Sequence, residues 1–208
     1  ADKAFVPPEA RPKPSRDTAT SEVTTRQDAA GGCDGVKNGR CGFHVASGET
    51  DPWWQVDLGK VYALERGVVF NRTDGKTAPR TRNLRVLVAD EPTADAFREV
   101  HRQGGQTFYG VKEGKPLVVE LRASGVTGRI VRLQVPGRCS FALDEVEVYA
   151  ADDPQKNVAL HKPADQKSTS PYSFPGTRGH DYTPPQPERP PVPPFSLAHT
   201  REVLRRGR

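Results

Sequence analysis

Asp51-Pro52-Trp53-Trp54-Gln55-Val56-Asp57-Leu58-Gly59 alternates apolar and polar side chains with a period of two. On a β-strand that period places Trp54, Val56 and Leu58 on one face and Gln55 and Asp57 on the other. The same alternation recurs outward from it. Leu84, Val86 and Val88 share a face, as do Val131, Leu133 and Val135, with Arg132 and Gln134 opposite. Val68-Val69-Phe70, Leu117 to Leu121 and Val146 to Tyr149 complete the clear strands, with a weaker one near Thr107-Phe108-Tyr109. Gly59-Lys60, Asp74-Gly75, Gly104-Gly105, Glu113-Gly114 and Pro136-Gly137 supply turn chemistry between them. Between Asp17 and Asp152 only Thr93 to Arg98 offers a short helical alternative. Short strands at regular spacing, separated by turn residues, predict an all-β, antiparallel β-sandwich.

The 208 residues have room for one ordinary domain with extensions. Residues 1–16 read as an extended, proline-rich lead-in and residues 17–152 as the sandwich. Residues 153–195 read as one strand followed by a proline-rich linker, and 196–208 as a short terminal helix. The strand-like text around Asn157 to Pro163 fits either the relic of a second domain or a strand covering a sheet edge. The proline-rich stretch suits a semi-rigid spacer, so residues 153–208 are also candidates for contacts with other domains or subunits.

The net charge is +5, but 31 Lys and Arg are interleaved with 26 Asp and Glu. That mixture fits a solvated surface, and neither a basic block nor stacked aromatics point to nucleic acid. No apolar run reaches the roughly 18 residues of a membrane span. A chain without methionine that begins Ala1-Asp2 fits removal of a secretory signal, giving an expected secreted, extracellular or periplasmic location. Cys33, Cys41 and Cys139 permit one disulfide, and a local Cys33–Cys41 bridge suits an oxidising compartment.

Several stretches together resemble a known family. They are Cys33-Asp34-Gly35, the Asp51 to Gly59 strand, Asn71-Arg72-Thr73-Asp74, Gly128 to Leu133, Pro136-Gly137 and Leu143 to Val148. In this order they resemble the discoidin (coagulation factor type C) domains and, within them, the F-type lectins of the galactose-binding-like class. The resemblance implies a jelly-roll whose end loops carry function, and it implies a bound calcium ion. Asp34 and Glu145 stand at the positions of its carboxylate ligands, with backbone carbonyls near Gly31, Val36, Cys41 and Asp144. An oxygen-only set suits a hard cation.

The same resemblance implies a sugar site at His44, Arg72, Asp74 and Arg80. An imidazole and guanidinium forks can hydrogen-bond vicinal hydroxyls, and Asp74 would orient Arg72. The pattern departs from the lectins in spacing, with 27 residues between His44 and Arg72 and five between Asp74 and Arg80. Gly75-Lys76 also replace an adjacent cysteine pair. The expected function is non-catalytic binding of a cell-surface or polysaccharide glycan. An assembly module with a vestigial sugar site is the alternative. No nucleophile elbow, metalloprotease or phosphate-loop motif points to an enzyme.

Overall fold

The computed structural model describes residues 23–93, 96–171 and 173. The lead-in at 1–16, nearly all of the proline-rich stretch and the terminal helix expected at 196–208 lie outside the described residues.

The chain enters through a short helix, α1 (Thr25–Ala29). Thr24-Thr25-Arg26-Gln27 is a capping box: Thr24 accepts from the Gln27 amide, and the Gln27 side chain returns to the Thr24 amide. Two first-turn donors are thereby satisfied reciprocally. Among the described residues eleven strands follow: β1 (Phe43–His44), β2 (Glu49–Thr50), β3 (Trp53–Asn71), β4 (Arg85–Ala89), β5 (Arg98–Arg102), β6 (Leu117–Glu120), β7 (Thr127–Gln134), β8 (Arg138–Cys139), β9 (Ala142–Ala150), β10 (Asp153–Asn157) and β11 (Ala164–Gln166).

β3 organises the jelly-roll because it belongs to both layers. Its first half pairs with β7 and β11, and its second half with β9 and β6. β4 and β5 extend the first layer, β1 and β10 flank β9 in the second, and β2 with β8 forms a separate ribbon. The crossover lies at Gly59-Lys60, where a turn was expected. Instead the strand runs through it, with a register shift between Asp57 and Tyr62 and Gly59 at φ 92°. A β-bulge bends a strand without ending it, and glycine tolerates the left-handed backbone there.

The faces expected to be apolar point inward. Trp54, Val56, Leu58, Leu84, Val86, Val88, Val131 and Leu133 meet Val69, Leu117, Val119, Val146 and Val148 in one core. Trp54 stacks on Phe43 with ring centroids 5.6 Å apart, and its Nε1 donates to the Ala29 carbonyl at 2.9 Å. The polar face of this strand is buried as well. Gln55 accepts from Arg132, and Asp57 holds Arg129 through hydrogen bonds of 2.7 and 3.0 Å. Two weaker readings give way. Thr107 to Tyr109 is a loop, fixed where the Tyr109 carbonyl accepts from Asn71 N, and Arg98 opens β5 instead of closing a helix.

The segment after Asp152 packs on the sandwich. β10 lies beside β9, and β11 pairs antiparallel with Trp54 to Val56 of β3. Between them, His161 N donates to the Cys33 carbonyl at 2.8 Å.

Candidate functional site

His44 ends β1, and its backbone is fixed by groups distant in sequence. Its amide donates to Asp28 Oδ2 at 2.9 Å, and its carbonyl accepts from Gln166 Nε2 and Ser173 Oγ, both at 3.1 Å. Asp28 Oδ2 also accepts from Gln166 and lies 3.0 Å from Ser173 Oγ, whose one proton the two acceptors share, so α1 and the segment after β11 together hold the histidine. The ring is buried, and Nδ1 lies 2.5 Å from the Val45 carbonyl. A carbonyl only accepts, so Nδ1 carries the proton and Nε2 is the acceptor nitrogen. Burial lowers the His44 pKa to about 4, against the Val45 hydrogen bond, and the charges of Arg72 and Arg80 push the same way. The imidazole is therefore neutral at physiological pH.

Arg72 and Asp74 leave the end of β3 as a two-point pair. Arg72 Nε donates to Asp74 Oδ1 at 2.5 Å and Nη2 to Oδ2 at 3.1 Å. Burial works against the guanidinium charge, but the Asp74 carboxylate and the Cys41 sulfur outweigh it and raise the Arg72 pKa. Thr77 Oγ1 donates to the Arg72 carbonyl, closing the loop on itself. Arg80 lies exposed in a 3₁₀ turn, Ala78–Thr81. Asn71 holds that turn: its Nδ2 lies 3.1 Å from the Ala78 carbonyl, 2.9 Å from Thr81 Oγ1 and 2.8 Å from the Phe108 carbonyl. Arg72, Asp74 and Arg80 thus each lie within electrostatic reach of His44. Trp53 stands apart, with the Arg132 guanidinium over its ring at 4.5 Å.

The implied calcium loop runs from Asp34 to Cys41. Strand alternation places Asp144 and Glu145 on opposite faces of β9, yet both carboxylates address this loop. The cause is a bulge: Phe70 pairs with Glu145 and Asn71 with Leu143, leaving Asp144 as the extra residue. Asp144 accepts from Gly39 N at 2.8 Å, and Glu145 Oε1 from Gly35 N at 3.0 Å. Asp34 Oδ1 accepts from Val36 N at 2.9 Å, and Lys37 pairs with Glu147 at 2.6 Å. Asp34 Oδ2 and Glu145 Oε2 are buried, and both charges act on the Cys33 thiol, which burial already pushes up.

Backbone carbonyls converge nearby. A Cβ on Gly42 would lie 2.1 Å from the Asp144 carbonyl oxygen and 2.5 Å from that of Gly31, so both oxygens crowd one small space. Among the described residues no group of three or more His, Cys, Asp or Glu side chains is arranged as a metal site. A cation here would therefore combine the Asp34 and Glu145 carboxylates with carbonyls, an all-oxygen set that fits calcium and not zinc.

The expected Cys33–Cys41 bridge is not formed; the three cysteines are buried thiols. Cys33 Sγ faces the Ala30 and Lys162 carbonyls, whereas Cys41 Sγ faces that of Phe43 at 3.0 Å. Burial raises the Cys41 pKa to about 12, which disfavours the reactive thiolate. Sequence reasoning missed Asp28, Gln166 and Ser173; Gln166 and Ser173 reach Asp28 and His44 across more than 100 residues. Only the Thr24–Gln27 capping signature hinted at a fixed helix beside the site.

Residues 32–133 match the family model described as the NedA-like, galactose-binding domain of the F5/F8 type C group. Among solved structures, the fold is similar to a fucolectin from striped bass (Morone saxatilis) serum at 24% identity and a TM-score of 0.52. That match covers 67% of this chain and 47% of the fucolectin, so the chain spans about half of that protein's length. A Streptococcus pneumoniae fucose-binding module is 28% identical, with 64% of this chain and 93% of that one covered and a TM-score of 0.45. A chitosan-binding module from a Paenibacillus chitosanase/glucanase is 19% identical, with 64% and 96% covered and a TM-score of 0.46. No curated protein matches in sequence. Among the described residues, no helix is long and apolar enough to cross a membrane.

Proposed function

We propose, from the match of residues 32–133 to the galactose-binding domain of the F5/F8 type C group, that the chain is an exported, non-catalytic carbohydrate-binding module. It binds a cell-surface or polysaccharide glycan through His44, Arg72, Asp74 and Arg80, and a calcium ion steadies the neighbouring loop. One observation supports the reading: a carboxylate-braced guanidinium, Arg72, and an exposed one, Arg80, both lie within electrostatic reach of the neutral His44 imidazole.

The chemistry suits a sugar. Vicinal hydroxyls both donate and accept, and here His44 Nε2 accepts while Arg72 and Arg80 donate. The Asp74 pair presets the Arg72 fork, so less freedom is lost on binding. Calcium joining Asp34, Glu145 and carbonyls of the Gly31 to Cys41 loop would tie that loop to β9. The loop in turn supports the sugar segment, because Thr73 N donates to the Gly39 carbonyl at 2.8 Å.

A glycan array probed with the full chain, with and without a calcium chelator, tests this reading. The expected result is a signal on a defined glycan, lost in Arg72→Ala and weakened by the chelator. Silence on every glycan, with a protein partner retained through residues 153–208, would instead favour an assembly module.

A further inference from the structure

Arginine is handled in several ways on this surface. Arg72, Arg85, Arg102, Arg122 and Arg129 each hold a carboxylate within 3.3 Å. Arg80, Arg82 and Arg138 differ: among the described residues no carboxylate pairs with any of them, although all three are exposed. They also converge. With Pro79, Asn83 and Ser140 they line a single open cleft of about 460 Å³, whose walls contain no Asp or Glu. Asp51 is not among the lining residues; its Oδ1 accepts from Gly137 N at 2.7 Å.

Three cations facing one cleft repel one another unless an anion enters. The two walls are independently braced. The Arg80–Arg82 wall is the 3₁₀ turn pinned by Asn71, and the Arg138 wall is the ribbon of β2 with β8. Cys139 Sγ, 3.4 Å from the Arg80 carbonyl, joins them. Guanidinium forks match the paired oxygens of carboxylate and sulfate groups. No aromatic ring lines the cleft, so it lacks the stacking platform on which single-stranded nucleic acids rest.

We propose that this cleft is an anion subsite beside the sugar site, and that the glycan recognised is acidic, carrying a carboxylate or sulfate that Arg82 and Arg138 engage. The inference rests on the carbohydrate reading above, since Arg80 stands in both sites. The acidic group would occupy the cleft while a neighbouring ring lies against His44 and Arg72.

Calorimetric titration of the full chain compares three probes of equal length: a uronate oligosaccharide, a sulfated oligosaccharide and a neutral galactose oligosaccharide. At least one acidic probe is expected to bind roughly 10- to 100-fold more tightly than the neutral one at low salt. The preference should shrink as salt screens it. The acidic probe that binds better identifies the anion's source. Arg82→Gln/Arg138→Gln should abolish the preference and leave neutral-sugar affinity within about twofold, whereas Arg122→Gln, away from the cleft, should change neither.

Equal affinity for acidic and neutral probes would overturn the subsite and leave the sugar reading standing. So would a preference that survives the double substitution, or one that Arg122→Gln weakens as much. Acidic binding that the double variant loses, without any neutral binding, would keep the subsite and refute the His44–Arg72 sugar site. Absence of all binding would refute both, and tighter binding of a single-stranded oligonucleotide would reassign the cleft to nucleic acid.

Discussion

Two loops meet where Thr73 N donates to the Gly39 carbonyl, and they are held by opposite means. The 34–41 loop is fixed from beneath by Asp144, Glu145 and Glu147, which reach up from β9, and by His161 behind Cys33. The 72–83 segment is held largely by its own neighbours, through the Arg72–Asp74 pair, Thr77 and the Asn71 side chain. The first loop uses buried carboxylates and is built for rigidity. The second spends its charged groups at the surface, where they remain available to a ligand. Substitutions in the first should therefore cost stability, and substitutions in the second should cost recognition.

Gly42 is where this contrast should be sharpest. A methyl group there would meet the Asp144 carbonyl at 2.1 Å and the Gly31 carbonyl at 2.5 Å, both backbone atoms unable to swing aside. Gly42→Ala should destabilise by about 3 kcal/mol or more. Chemical denaturation measures this directly, and a loss below about 1 kcal/mol would mean that the loop yields and is not the rigid partner.

His44, held by α1 and the segment after β11, should show the next largest effect. Folding lowers its pKa from 6.5 to about 4. As pH falls below 6.5 the unfolded chain takes up a proton that the folded chain refuses, so stability falls between pH 6.5 and about 4. The shift corresponds to roughly 3 kcal/mol across that window. Denaturation at stepped pH should show a slope that flattens in His44→Gln. An unchanged slope would place the titrating group elsewhere.

Much of the scaffold was legible in the sequence because alternation needs only neighbours. Trp54, Val56 and Leu58 declare a buried face without knowledge of what covers it. The Gly59-Lys60 crossover was not legible, since a glycine that bends a strand and one that ends it look alike. In the site, Arg72 and Asp74 were readable because their pairing is local. The Asp28–Gln166–Ser173 clamp on His44 was not, because nothing in a polar side chain names a partner 138 residues away. The β9 bulge likewise emerges only from pairing with β3, and it overturns the expectation that Asp144 and Glu145 face apart.

Calcium should separate the two loops again. With the ion at about 100 times its dissociation constant, linkage stabilises the fold by about 2.7 kcal/mol. Glu145→Gln keeps an acceptor for Gly35 N but removes the charge. Thermal melting should rise by several degrees with calcium in the parent chain and remain flat in this variant. An equal rise in both would detach the ion from Glu145, and no rise in either would remove calcium from the loop.

The smallest change in stability is expected at Asp74, where it carries the most functional information. Asp74→Ala deletes a partly exposed ion pair, and such pairs contribute about 1 kcal/mol or less. Its second effect is on Arg72, whose guanidinium loses the partner that fixes its plane. A fork that must be ordered anew for each ligand binds more weakly because the ligand then bears that entropy. Glycan affinity should fall about tenfold while the melting temperature changes little. Loss of both together would make the pair a structural turn like those of the 34–41 loop. Affinity that survives intact would show that Arg72 needs no brace, and the division of labour between the two loops would fail at its functional end.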